Sequence, residues 1–195
     1  MKKLTCFALA AVLCMGLTAC GGNNQANTDD QKKVYKIATD TTFPPFEFQD
    51  DNQQYVGIDI DILAEIAKDQ GFEYELQPLG FNAAVAALES SQADGVIAGM
   101  SITEDRQKKY DFSEAYYDSG VVMAIKADNE EIKGYEDLKG KKVAVKNGTE
   151  GATFAESIKD QYGFDLAYFD ESPYMYEEVK TGNSAACFED YPVMG

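Results

Sequence analysis

The chain has 195 residues, 45% of them apolar, which suits a globular body of one domain or two small lobes and excludes a disordered one. Its 34 acids against 17 basic residues leave a formal charge of -17, which excludes nucleic acid as a partner, because phosphate binding needs a basic face that displaces counterions. No histidine is present, no metal-ligand spacing occurs and no nucleophile lies beside an evident base, so the composition argues against an enzyme.

The first residues form a separate object. "MKK" precedes an apolar run from Leu4 to Ala19 that is too short to span a bilayer comfortably and reads as a secretory signal over residues 1–19. "LTAC", residues 17–20, resembles the lipobox of bacterial lipoproteins, which implies that Cys20 is lipidated and tethers the mature chain to the outer face of the cell membrane. Residues 20–33 then form a flexible polar leash. Cys6 and Cys14 leave with the signal and Cys20 is acylated, so Cys187 stands alone, no disulfide is available, and its apolar setting makes it a small core residue.

From Val34 onward, β-rich runs alternate with helical patterns, the signature of βα units around mostly parallel sheets. The expected strands are "VYKIAT", "EYELQPL", "GVIAGM", "VVMAI", "KKVAV", "LAYF" and "AACF". Residues 57–71 predict a helix with Ile58, Ile62 and Ile66 on one face, Leu63 alongside and Gly71 as its stop. Asn82 is the expected cap of the next helix, Thr149 of the one that ends at Gly163, and Ser172 of the one with Pro173 at its first position and Gly182 at its end. Residues 126–141 are polar and lack a long periodic segment. They read as a crossing between two α/β lobes, one continuous sheet with a long surface loop being the alternative.

"ATDTTFPPFEF" (38–48), "GIDIDILAEIA" (57–67), "AGMSITEDRQKKYDFSEAYY" (98–117), "VAVKNGTEGA" (143–152) and "CFEDYPVMG" (187–195), in this order, resemble the extracytoplasmic solute-binding proteins of polar amino-acid ABC importers, particularly the glutamine-binding branch. The resemblance implies an α/β fold of the two-lobed periplasmic-binding-protein type II, with hinged lobes at 34–123 and 124–190. It also implies that the fold is C-terminally incomplete. Residues 191–195 begin a return to the first lobe, whose sheet the family completes with a strand and terminal helices, so an unpaired strand edge, uncovered apolar surface and weakened closure are expected.

Arg106 is the only arginine in the chain, and spacing alone leaves open whether it pairs with Glu104 or Asp105 on a helix surface. The resemblance makes it the clamp for a ligand carboxylate, a task for a planar fork of donors that lysine cannot perform. By the same resemblance, Gly99, Met100 and Ser101 face the zwitterionic head, Asp190 pairs with the α-ammonium from the other lobe, and Thr149 starts a helix whose N–H groups suit the carboxylate. Phe43 and Phe81 flank the ligand side chain, and Asp40 with Lys146 meet its end. An acid and an ammonium together favour a neutral amide, so glutamine is expected before glutamate. The expected partners are a free L-amino acid, permease subunits of an ABC importer and, through the lipid, the membrane. No cofactor and no metal are expected. A membrane-tethered amino-acid sensor, or a dehydratase on the same fold, is the alternative.

Overall fold

The computed structural model describes residues 33–194. The expected signal segment, the leash up to residue 32 and Cys20 lie outside the described residues, as does Gly195.

In chain order the elements are β1 (Val34–Thr39), β2 (Thr42–Phe43), β3 (Glu47–Gln49), β4 (Tyr55–Val56), α1 (Ile58–Gln70), β5 (Glu73–Pro78), α2 (Phe81–Glu89), β6 (Gly95–Val96) and α3 (Glu104–Gln107). There follow β7 (Val121–Ile125), a 3-10 turn (Tyr135–Leu138), β8 (Lys142–Lys146), α4 (Glu150–Tyr162), β9 (Asp165–Phe169), α5 (Ser172–Lys180), β10 (Ala186–Asp190) and α6 (Tyr191–Met194). They build a parallel sheet in the order β5-β1-β6, a second sheet in the order β7-β10-β8-β9, and a small antiparallel sheet β2-β3-β4. Within the second sheet only β7 runs antiparallel, against β10. All of Val121–Ile125 pairs there, so residues 123 and 124 are neighbours in one strand.

The second sheet shows why its strands are nearly continuous apolar runs. Side chains alternate across a strand, and a strand covered on both faces must be apolar at every position. Val143 and Val145 of β8, with Ala186 and Phe188 of β10, join Ala152 and Ala155 of α4, Leu138 and Phe164 in one cluster. Ala144 and Cys187, which point the other way, join Met175 and Val179 of α5 in another. Gly151 makes this docking close: a Cβ there would lie 2.7 Å from the Phe188 carbonyl oxygen. Cys187 is 2% exposed, the buried core residue that its apolar run predicts.

Several local expectations are corrected. The run "GVIAGM" is a strand only over Gly95–Val96, and Gly99 turns the chain with φ of 52°. In α1 the buried residues are Asp59, Leu63 and Ala67, whereas Ile66 is 48% exposed and lines an apolar groove with Ile62 and Ile37. Gly80, not Asn82, occupies the N-cap of α2. The cap work there is done from a distance, because Asp40 Oδ1 accepts from the Phe81 N–H at 3.2 Å. Glu171, not Ser172, is the N-cap of α5, and the Ser172 hydroxyl donates instead to Glu189 Oε2 at 3.4 Å. Gly182 does stand at that helix's end, as the positive-φ residue directly after the C-cap Thr181. Thr149 does cap α4, its hydroxyl accepting from the Ala152 N–H at 3.3 Å.

Candidate functional site

The carboxyl ends of the strands of both larger sheets converge on one cleft, the place where open α/β sheets bind ligands. Asp40 follows β1, the loop Ala98–Ser101 follows β6, Lys146 ends β8 and Asp190 ends β10. The cleft holds about 270 Å³ of empty space, part of it open to solvent. Every residue expected from the sequence lines it: Asp40, Phe43, Phe81, Gly99, Met100, Ser101, Arg106, Lys146, Thr149 and Asp190. Ala98 and Glu150 complete the lining. Glu150 was not foreseen, because an acid in the first turn of a helix is already explained by the dipole.

Asp40 and Lys146 form a buried ion pair between the first and second sheets, the carboxylate Oδ2 accepting from the ammonium. Asp40 Oδ1 also accepts from the Thr41 N–H at 2.7 Å, so this carboxylate is satisfied on both oxygens. Such a pair contributes little net stability, since desolvation offsets the attraction, yet removing one partner leaves a costly buried charge. The Lys146 ammonium lies 5.6 Å from the Phe43 ring centroid.

Arg106 makes a second contact across the cleft. Its Nη1 donates to the Ser101 carbonyl at 2.9 Å and its Nη2 to the Gly148 carbonyl at 3.0 Å. These occupy two of five N–H groups, and the guanidinium lies 5.7 Å from the Phe81 ring centroid. The helix carrying it, α3, is capped by Thr103, whose hydroxyl accepts from the Arg106 N–H at 3.3 Å. Burial lowers the guanidinium pKa, opposed by the charges of Glu150 and Asp190. Asp190 is pushed the other way: burial raises its carboxyl pKa, while a Ser119 hydrogen bond and the Arg106 charge hold it down and Glu150 adds to the rise.

The cleft thus offers a cation and an anion for a zwitterionic head, two aromatic faces, and a neutralised acid and ammonium pair deeper in. Among the described residues, no cluster of His, Cys, Asp or Glu could hold a metal ion, and no helix is long and apolar enough to cross a membrane.

Comparison with known proteins gives this arrangement a context. Residues 35–187 match the family of bacterial extracellular solute-binding proteins, family 3. The arginine-binding extracellular protein ArtP of Bacillus subtilis (strain 168) is 33% identical, over 100% of this chain and 76% of its own length. An ancestral arginine-binding protein is 39% identical: its arginine-bound structure superposes with a TM-score of 0.78 over 83% of this chain and 71% of the other, and its glutamine-bound structure with 0.76 over 82% and 70%. Substrate binding domain 2 of GlnP from Lactococcus lactis, in an open conformation, is 40% identical over 84% of this chain and 71% of that one, with a TM-score of 0.52. The mixed α/β architecture is therefore that of the type II periplasmic binding proteins, and the chain belongs to the bacterial extracellular solute-binding proteins, family 3.

Proposed function

We propose that this protein is the substrate-binding component of an amino-acid ABC importer, capturing a polar L-amino acid, glutamine before others, and delivering it to a membrane permease. The observation that carries this reading is the juxtaposition in one cleft of Arg106, Asp190 and the Asp40–Lys146 pair, walled by Phe43 and Phe81. Arg106 takes the α-carboxylate, joined by the N-terminal groups of α4 at Thr149, and Asp190 takes the α-ammonium. The side chain passes between Phe43 and Phe81. Its terminal amide accepts from Lys146 and donates to Asp40. Lipidation at Cys20 would keep the protein at the outer face of the membrane, near its permease.

The lobes in this reading are 34–123 and 124–190, with 191–195 at the return crossing. The chain superposes far better on the ligand-bound ancestral protein than on the open GlnP domain, despite similar identity. That difference, with Arg106 reaching Gly148 and Lys146 reaching Asp40, supports a closed arrangement that a two-sided ligand stabilises. The family's relatives cited above are binding proteins, and this one acts by binding and release.

ArtP is named for arginine and the ancestral protein is seen with arginine or with glutamine, and the ion pair favours glutamine here. A guanidinium at the end of the cleft would meet the Lys146 ammonium with a like charge, and a glutamate carboxylate would face Asp40 with one. A thermal-shift panel of the twenty amino acids on the purified protein tests this. Glutamine at about a hundredfold its Kd should raise the midpoint by roughly 5–10 °C, with glutamate and arginine giving less. Glutamate matching glutamine would overturn the preference.

The Asp190 carboxylate gives the affinity a pH dependence. Only the ionised form attracts an ammonium, and its raised pKa means that it gains a proton at a higher pH than an exposed aspartate does. Glutamine affinity should therefore fall as pH drops through that raised pKa, by up to about tenfold per unit. Calorimetry across the acid range should show this slope in the wild type and a flatter profile in Asp190→Asn.

A further inference from the structure

Asp190 stands beside an acid that the proposed ligand contacts do not use. Side chains alternate along β10, which sends Ala186 and Phe188 toward α4 and Cys187 toward α5. The last two residues of the strand continue the pattern. Glu189 turns to α5, where the Tyr176 hydroxyl donates to its Oε2 at 2.8 Å and the Ser172 hydroxyl at 3.4 Å. Asp190 turns the other way and lines the cleft with Glu150, the first residue of α4. Glu189 itself is 3% exposed and lies outside the cleft lining.

The backbone needs a partner at this point. On one edge, β10 pairs with β8 at Ala186 and Cys187, and the ladder stops there. On the other edge it pairs with β7 as far as Asp190, opposite Val121, and the Tyr191 N–H then donates to the Gly120 carbonyl at 2.9 Å. Bonded and unbonded positions alternate along an antiparallel pair, so Asp190 holds an unbonded one and its N–H points away from β7, past the end of the β8 ladder. A partly buried N–H left there without an acceptor is costly. Glu189 Oε1 takes it at 3.0 Å. One carboxylate thus holds the Asp190 backbone with one oxygen and α5 with the other. Burial, then the Glu189 charge, push the Tyr176 phenol up, which keeps it a donor.

We propose that Glu189 is a positioning residue for the ammonium end of the ligand: its carboxylate anchors the Asp190 backbone to α5 and so fixes where the Asp190 side chain meets the α-ammonium. This rests on the reading of the cleft as an amino-acid site, but the anchor can be measured without ligand.

Amide NMR of the purified protein without ligand reads the anchor directly. The Asp190 amide proton should move upfield in Glu189→Met, which fills the space without an acceptor. It should stay near its wild-type shift in Glu189→Gln, whose side-chain oxygen can still accept. Tyr176→Phe, which removes a donor on the far side of the carboxylate, should move it in the same direction by less. An unmoved Asp190 amide in Glu189→Met would overturn the proposal whether or not the wild type binds glutamine.

Calorimetry with glutamine shows whether the anchor serves the ligand. Glu189→Met should weaken binding by at least about tenfold and Glu189→Gln by no more than about threefold. In an Asp190→Asn background, Glu189→Met should change the affinity by less than about threefold, because the interaction it supports is already gone. Equal losses in the two backgrounds would mean that Glu189 acts on the fold as a whole, and would overturn the positioning role. A wild type that takes up no amino acid while the Asp190 amide moves as expected would refute the reading of the cleft and not the anchor. If Glu189→Met does not fold, Tyr176→Phe takes its place in both measurements, with smaller effects of the same sign, and an unmoved Asp190 amide there overturns the proposal.

Discussion

Arg106→Lys is expected to weaken glutamine binding by at least about a hundredfold, roughly 2.7 kcal/mol, with a change in folding stability no larger than about 1–2 kcal/mol. The charge is kept, so any loss reports geometry. Arg106 spends two N–H groups bridging Ser101 and Gly148 and keeps others for the ligand; a lysine has one ammonium on a flexible stem and cannot do both. The substitution should also lose part of the bridge between the two sheets, which biases the protein away from closure. Calorimetry for affinity and urea unfolding for stability separate these effects. Equal affinity in Arg106→Lys would mean that the site needs only a positive charge there.

Lys146→Met is expected to have the larger effect on stability and to change what the cleft accepts. The substitution leaves Asp40, 1% exposed, without its cation, at a cost of about 3–5 kcal/mol. Two N–H donors, from Thr41 and Phe81, remain to Asp40 and soften the loss. A ligand that carries its own cation to that position would recover part of it. Arginine should then gain at least about tenfold on glutamine relative to the wild type, and should raise the variant's melting midpoint more than glutamine does. Retention of the wild-type order of amino acids would show that the ion pair does not set selectivity.

How much of this was legible in the sequence depends on the distance over which each feature is decided. The strands of the second sheet were readable because burial on both faces requires an apolar residue at every position, as in Val143–Val145. Thr149 was readable because a hydroxyl capping its own helix is a local event. The N-terminus of α2 was not: its first N–H is met by Asp40, far back in the chain, so the local candidate Asn82 was misplaced. The face of α1 was misjudged for a similar reason. Asp59 is buried because Gly99 and Tyr116 supply donors, which no count of apolar residues within the helix could show. The cleft residues came from the resemblance and not from periodicity, and the structure brings them together with Glu150 beside them. The short sheet β2-β3-β4 was invisible, its strands being too brief for any alternation to register.

The central claim is that one amino acid is held by both ends between the two larger sheets. Isothermal titration of the purified protein with glutamine tests it most directly. Saturable binding of one glutamine per chain is expected, absent or at least about a hundredfold weaker in Arg106→Lys. A folded protein that takes up none of the twenty amino acids, or one whose glutamine affinity is untouched by that substitution, would contradict it.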